Sequence, residues 1–325
     1  MGRVPWVTTL VTGAATAVGV RVCARLAAAG AEWVELPSGE AALPRAEVLL
    51  HLSAGDHDRL AGRRANAVRL TEDALAEADA AGVRHVVALS SAMVYGAWPN
   101  NPVPLTEEAP LRPGNFAFAQ QLAQVEQVID DWRLAAPGRT ATILRPVLSL
   151  AADGTTTIVR ALAAGMGERL DDDDPPSQFL HLDDLAAAVM LGHDRCLDGA
   201  FNVAPDGWIA GETVRALAGT PPRVRVPSWL IEWVAAVRWR FQRGPIPPGL
   251  RPYATYGWLV ANDRLRHEGW EPTVTNEQAY VEGTEAKWWT MLTPKRKQEL
   301  SLGAMGSVVA GIGATVVAAV RRTRR

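Results

Sequence analysis

Leu10-Val11-Thr12-Gly13-Ala14-Ala15-Thr16-Ala17-Val18-Gly19 is an apolar run broken by glycine, and an Ala/Arg-rich segment follows it as far as Gly30. The pattern predicts a strand, a tight turn and a helix start. Such a turn brings backbone N–H groups at a helix N-terminus up to a pyrophosphate. Gly13 permits the sharp turn, and Gly19 permits close packing of helix on strand. Where a second glycine normally lets the phosphates approach, the chain carries Thr16. The fold signal is kept and the cofactor signal weakened; an ordinary strand-turn-helix with no ligand is the competing interpretation.

With 325 residues and 48% hydrophobic composition, the chain can bury a large core as one α/β domain or as a domain with an appendage. A net charge of −2 argues against nucleic acid held by a broadly basic surface. Cys23 and Cys196 are too few for a disulfide framework or a metal site, which points to a reducing cytoplasm. Met1 to Leu10 lacks the charged and apolar regions of a secretion signal. Lysine occurs only at Lys287, Lys295 and Lys297, so no ammonium side chain is available to any chemistry in residues 1 to 286.

Outward from the glycine turn, helices are expected over Val20 to Ala29, Arg59 to Ala81 and Phe116 to Arg133. Strands are expected over Ala31 to Leu36, Glu47 to Ala54, Arg84 to Ser90 and Thr140 to Leu144. This alternation implies an α/β, Rossmann-like doubly wound parallel sheet with helices on both faces. Only about ten residues separate the second and third strands, fewer than the dozen or more that a parallel crossover takes. A piece common in doubly wound folds is trimmed there.

An ordered set of short motifs runs through the chain. After the Thr12-Gly13 to Gly19 turn come His51-Leu52-Ser53-Ala54, Ser90-Ser91-Ala92-Met93-Val94-Tyr95-Gly96 and Arg145-Pro146. Phe179 to Ala186, Phe201-Asn202-Val203-Ala204 and Arg264 to Pro272 complete it. In this order the set resembles the extended branch of the short-chain dehydrogenase/reductase superfamily, the NAD-dependent epimerase/dehydratase family, over about residues 5 to 286. The resemblance implies NAD or NADP as cofactor, held by Gly13, Thr16, Ala17, Val18, Gly19, Glu35, Ser53 and Ala54. It also implies a Rossmann core over 1–145 and 179–206, with a substrate lobe over 146–178 and 207–286.

The same resemblance implies a Tyr-x-x-x-Lys pair on a helix, in which Tyr exchanges a proton with substrate while Lys lowers its pKa and holds the cofactor ribose. Spacing of four places both side chains on one helix face. Anchored on Val125-Glu126, the Tyr position holds Phe118 and the Lys position Leu122; sliding the register gives Phe116 and Gln120. A phenyl ring has no proton to transfer, so the expected acid/base step is missing. Ser91 stands at the family's substrate-polarising hydroxyl, or simply ends a strand; Tyr95 reads as a packed loop residue. The acidic residue that binds the adenosine ribose is replaced by Pro37, with Glu35 as substitute or as a plain surface glutamate. The dinucleotide site is therefore expected to bind loosely or not at all. His181, Asp183 and Asp184 read as a helix cap with dipole partners, so no metal is expected. The run Asp171 to Asp174 reads as a solvated loop.

Eight of the 12 tryptophans follow residue 200, and Ser228 to Phe241 interleaves Trp with Arg, as an internal lobe helix or a membrane-interface helix does. Ser301 to Val320 is 20 residues without charge, enough for an apolar helix about 30 Å long. Gly303, Ser307, Gly311, Thr315 and Ala319 recur every four positions, and basic clusters flank the segment within the 287–325 tail. The tail reads as an element lying on or anchored in the inner face of the cytoplasmic membrane, or as a soluble helix pairing two copies in a homodimer. Two functions compete: a catalytically impaired nucleotide- or small-ligand-binding module, and an active atypical oxidoreductase or epimerase. The latter would act on a sugar nucleotide or an apolar hydroxy or keto substrate, with Ser91, Tyr95 or substrate supplying the proton.

Overall fold

In the computed structural model, residues 8–36, 43–55, 66–156, 158–160, 162–163, 175–218 and 248–284 are described. The Trp-rich stretch 228–241, the acidic run 171–174 and the tail 287–325 lie outside them. The strands are β1 (Thr9–Thr12), β2 (Trp33–Leu36), β3 (Val48–His51), β4 (His85–Leu89), β5 (Thr140–Pro146), β6 (Leu148–Leu150), β7 (Phe179–His181) and β8 (Gly199–Val203). The helices are α1 (Ala17–Ala28), α2 (Ala67–Ala81), α3 (Ala117–Leu134), α4 (Leu182–Arg195), α5 (Gly211–Ala218), α6 (Arg251–Thr255), α7 (Asp263–His267) and α8 (Asn276–Gly283).

Six strands form one sheet in the order β2-β1-β3-β4-β5-β8, every pairing parallel; β6 and β7 form a separate parallel pair. The doubly wound expectation is met, because near-continuous apolar strands are stable only with both sheet faces covered. Successive residues go to opposite faces. Val11, Leu50, Val87 and Leu144 join one core with Val22 and Leu26 of α1 and Val189 of α4. Leu10, Leu49, Val86 and Ile143 join a second core with Leu75 of α2 and Leu122 and Ile129 of α3. Among the described residues no strand lies beyond β2, which is the edge of this sheet; residues 37–42 of the β2–β3 connection lie outside them.

Helix ends follow local chemistry. Asn66 caps α2 by accepting from the Val68 N–H at 2.9 Å, and Gly82 at φ 86 closes that helix. At the start of α4, His181 is the cap, accepting the Asp183 N–H at 3.2 Å. Asp184, expected as a dipole partner, is buried and takes on a second task. Its carboxylate accepts the Thr273 N–H at 3.0 Å, the Thr273 hydroxyl at 2.6 Å and the Val274 N–H at 3.0 Å, pinning the approach to α8. Among the described residues no group of three metal-ligating side chains assembles around these positions.

Two histidines are buried within the sheet. Thr71 gives its proton to the Ala67 carbonyl at 2.8 Å, so it accepts from Nε2–H of His51 at 2.9 Å, while Thr12 donates to Nδ1 at 2.9 Å. Burial pushes His51 from 6.5 down to about 4. Burial also lowers His85 to about 4, against the opposing hydrogen bond to Gly192. The unfolded chain therefore protonates both rings near pH 6.5 and the folded chain near pH 4. Between these values the unfolded state binds more protons, so stability is lost as pH falls through that window and is untouched by these rings above it. Urea unfolding at pH 7 and pH 4 should show a loss on the order of 3 kcal/mol per ring. A flat profile would contradict their burial as neutral groups.

Candidate active site

Because the main strands are parallel, β1, β3, β4 and β5 all end on one edge of the sheet. Order reverses between β1 and β3, the place where open α/β sheets bind ligands. A cleft of about 730 Å³, its open mouth included, lies over that edge. The β1–α1 turn contributes Thr16, Ala17 and Val18; the end of β3 contributes Leu52 and Gly55; the end of β4 contributes Ser90 and Ser91. Pro146 to Ser149, from the last residue of β5 into β6, together with Phe118 of α3 and Leu185 of α4, form the opposite wall.

Gly13 adopts φ +76, and a Cβ there would lie 2.9 Å from the Ser53 backbone nitrogen. Gly19 is needed for a different contact from the one expected: its absent Cβ would collide with the Gly13 carbonyl oxygen, so helix packs on turn. Thr16 has ordinary extended backbone, φ −73 and ψ 161, and needs no glycine. Its hydroxyl donates to the Gly13 carbonyl at 2.7 Å and accepts the Gly19 N–H at 3.0 Å. The side chain thus folds back into the turn and consumes one of the first-turn donors, leaving those of Ala17 and Val18 at the lip of the cleft.

The remaining expected cofactor residues are dispersed. Glu35 is exposed on the edge strand β2. Ser53 hydrogen-bonds Thr12 through its hydroxyl at 3.0 Å, and Ala54 is wholly buried beneath the cleft. Ser91 lines the cleft, where its oxygen accepts the Met93 N–H at 3.2 Å and its proton has only a long 3.5 Å approach to the Pro146 carbonyl. Phe118 faces Ser91's cleft, with its ring edge-on to Phe116 at 6.0 Å between centroids. Leu122, one turn on, is fully buried in the α2–α3 core and does not line the cleft.

Beneath the cleft runs a buried polar chain whose extent was not legible in the motifs. Ser90 donates to Glu126 at 2.5 Å, and Arg145 binds the same carboxylate through Nε at 3.1 Å and Nη2 at 2.6 Å. Arg145 Nη1 donates to the Tyr95 oxygen at 2.8 Å, and Tyr95 donates to Asn202 at 2.8 Å. Burial pushes the Tyr95 phenol up to about 12, against the pull of Arg145. Its proton is committed, and Tyr95 does not line the cleft. The expectation of a packed Tyr95 holds.

Residues 9–204 match the model of the NAD-dependent epimerase/dehydratase family. The chain belongs to that family. Among curated relatives, an uncharacterized protein of Mycobacterium tuberculosis strain H37Rv is 28% identical over 203 residues, 62% of this chain and 54% of the relative. The chain thus spans about half the length of the curated relatives it matches. Solved structures share the family fold at low identity. UDP-glucose 4-epimerase from Thermotoga maritima, crystallised with UDP-glucose, has a TM-score of 0.61 at 16% identity, covering 86% of this chain and 98% of that one. The Thermus thermophilus UDP-glucose 4-epimerase in complex with NAD has a TM-score of 0.60 at 17% identity, with coverages of 86% and 98%. RMD from Pseudomonas aeruginosa, complexed with NADPH, has a TM-score of 0.58 at 20% identity, with coverages of 85% and 98%. Within this epimerase/dehydratase fold, the sequence reading named Thr16, Ala17, Val18 and Ser91 on one wall and Phe118 on the other, and did not single out Val147, Leu148 or Leu185. The apolar run after Arg145-Pro146, Val147 to Leu148, was the available signal for the first two.

Proposed function

We propose that this chain is a binding member of the epimerase/dehydratase family that holds a nicotinamide dinucleotide and does not run proton-coupled hydride exchange. The observation that carries the reading is Phe118 in the cleft beside Ser91, together with the absence of lysine from residues 1 to 286. Support for a dinucleotide comes from the intact glycine turn, the Ala17 and Val18 N–H groups at the cleft lip, and neighbours solved with NAD or NADPH. Thr16, the exposed Glu35 and the short β2–β3 crossover all argue that this binding is weak.

The expected result with UDP-glucose or a hydroxysteroid plus NAD+ or NADP+ is no reduced cofactor and no epimer above the uncatalysed background. Turnover in the usual range of about 1–10³ s⁻¹, abolished by Ser91→Ala, would overturn the reading. That outcome would favour the active atypical oxidoreductase, for which the loosely held Ser91 proton is the supporting feature.

We also propose that the 287–325 tail brings the protein to the inner face of the cytoplasmic membrane. Its 20 uncharged residues supply the apolar stripe, and each flanking Lys or Arg near anionic lipid adds roughly 1 kcal/mol. Among the described residues no helix is long and apolar enough to cross a membrane, so the tail alone supports this. Fractionation of the full chain and of a chain ending at Thr290 should place only the former with membranes. Equal solubility of both, unchanged by salt, would sink the proposal.

A further inference from the structure

We propose that residues 151–155 form a strap shut over the first turn of α1 and latched by Arg21 to Asp153, and that a ligand enters and leaves that turn only when the strap opens. The inference rests on the reading that the turn takes a dinucleotide, and concerns how the site is closed. The strap follows β6 and is tied to itself. The Thr155 hydroxyl donates to the Ala151 carbonyl at 2.7 Å and accepts the Ala151 N–H at 3.2 Å, with Thr155 buried. Residues 152–154 between them therefore move as one piece.

Gly154 brings the strap down on α1. It adopts φ +88, which costs glycine little, and a Cβ there would collide with the Ala17 Cβ and stand 3.4 Å from the Ala17 Cα. Gly154 and Thr156 thus line the cleft beside Thr16, Ala17 and Val18, at the lip where the free first-turn N–H groups lie. Arg21, one turn further along α1, holds the strap in place. Its guanidinium donates to Asp153, to Asp183 Oδ1 at 2.9 Å and to the Ala17 carbonyl at 3.0 Å, so one side chain joins the strap, α1 and the start of α4. Arg21 is 15% exposed and fixed by three acceptors, whereas Asp153 is 81% exposed. The hydrogen bond from Arg21 and its charge hold the Asp153 carboxyl below the usual carboxylate range. An ion pair with one partner in water contributes little stability, so it can keep the strap shut and still release it.

Stopped-flow fluorescence of NADH mixed with the chain reads the gate. Asp153→Asn should speed association and dissociation together, each about two- to fivefold, and leave the dissociation constant within about twofold. Gly154→Ala should prop the strap open and speed both at least about fivefold. Adding Ala17→Gly, which removes the methyl that the new side chain strikes, should bring both rates back toward those of the unaltered chain. Rates indifferent to Asp153→Asn and Gly154→Ala would overturn the proposal, as would faster dissociation with unchanged association, because a gate slows both directions. Hydrogen exchange of the ligand-free chain separates the strap from the dinucleotide reading. The Ala17 and Val18 amides should exchange about two- to fivefold faster in Asp153→Asn. Unchanged exchange overturns the strap whether or not NADH binds; faster exchange with no NADH binding sustains the strap and sinks the dinucleotide reading.

Discussion

Glu126→Gln is expected to lower the stability of the folded chain by about 3–5 kcal/mol, the cost of leaving a buried charge without its partner. Arg145 and Glu126 have side-chain exposures of 8% and 4%, with Nη2 and Oε2 2.6 Å apart. Burial works against the arginine charge, and the hydrogen bonds and charge of Glu126 overcome it, holding the Arg145 pKa above its ordinary value. Glutamine keeps the shape and removes the charge. It also leaves the Ser90 hydroxyl with a neutral acceptor in place of a carboxylate. Removing both partners with Glu126→Leu and Arg145→Leu should cost less than the two single losses added together, because no orphan charge remains. Urea unfolding of the two single variants and the double variant checks this, and strict additivity would show that the pair is not coupled.

Gly19→Ala is expected to abolish dinucleotide binding and to destabilise the chain by about 3 kcal/mol. The added methyl would collide with the Gly13 carbonyl oxygen and stand 2.9 Å from both the Ala14 carbonyl oxygen and the Thr16 hydroxyl. Two of these neighbours are backbone, so relief must come from opening the turn itself. Gly82→Ala provides the contrast. At φ +86 with no atom within 4 Å of its Cβ position, it carries only left-handed backbone strain, about 1–2 kcal/mol. Urea unfolding and NAD+ titration of both variants separate steric opening of the turn from simple backbone strain. Gly19→Ala that retains wild-type NAD+ affinity would show that the turn does not hold the cofactor.

Much of the architecture was legible because a parallel sheet buried on both faces forces apolar residues at successive positions. Leu10 and Val11, or Leu49 and Leu50, declare a strand without saying which core each one joins. That β2 is the edge of the described sheet was legible in the short stretch of sequence that separates it from β3. Contacts between distant segments were not. Nothing near Asp184 in sequence announces Thr273 and Val274, and its position in the first turn of α4 suggested only a dipole role. Ser53 and Ala54 follow a strand that points at the cleft, yet a 3-10 turn over Ser53–Gly55 buries Ala54 and presents Gly55. The spacing of Phe118 and Leu122 put both on one face of α3. It did not show that only Phe118 reaches the cleft while Leu122 is sealed in the core. A lysine at position 122 would accordingly have to be buried.

In the function proposed, the glycine turn binds a dinucleotide without a tyrosine–lysine pair beside it. Calorimetric titration of the chain with NAD+ and with NADP+ tests that claim most directly. Saturable binding of one of them, with affinity lost in Gly19→Ala, is the predicted result; no binding of either at millimolar concentration would contradict it.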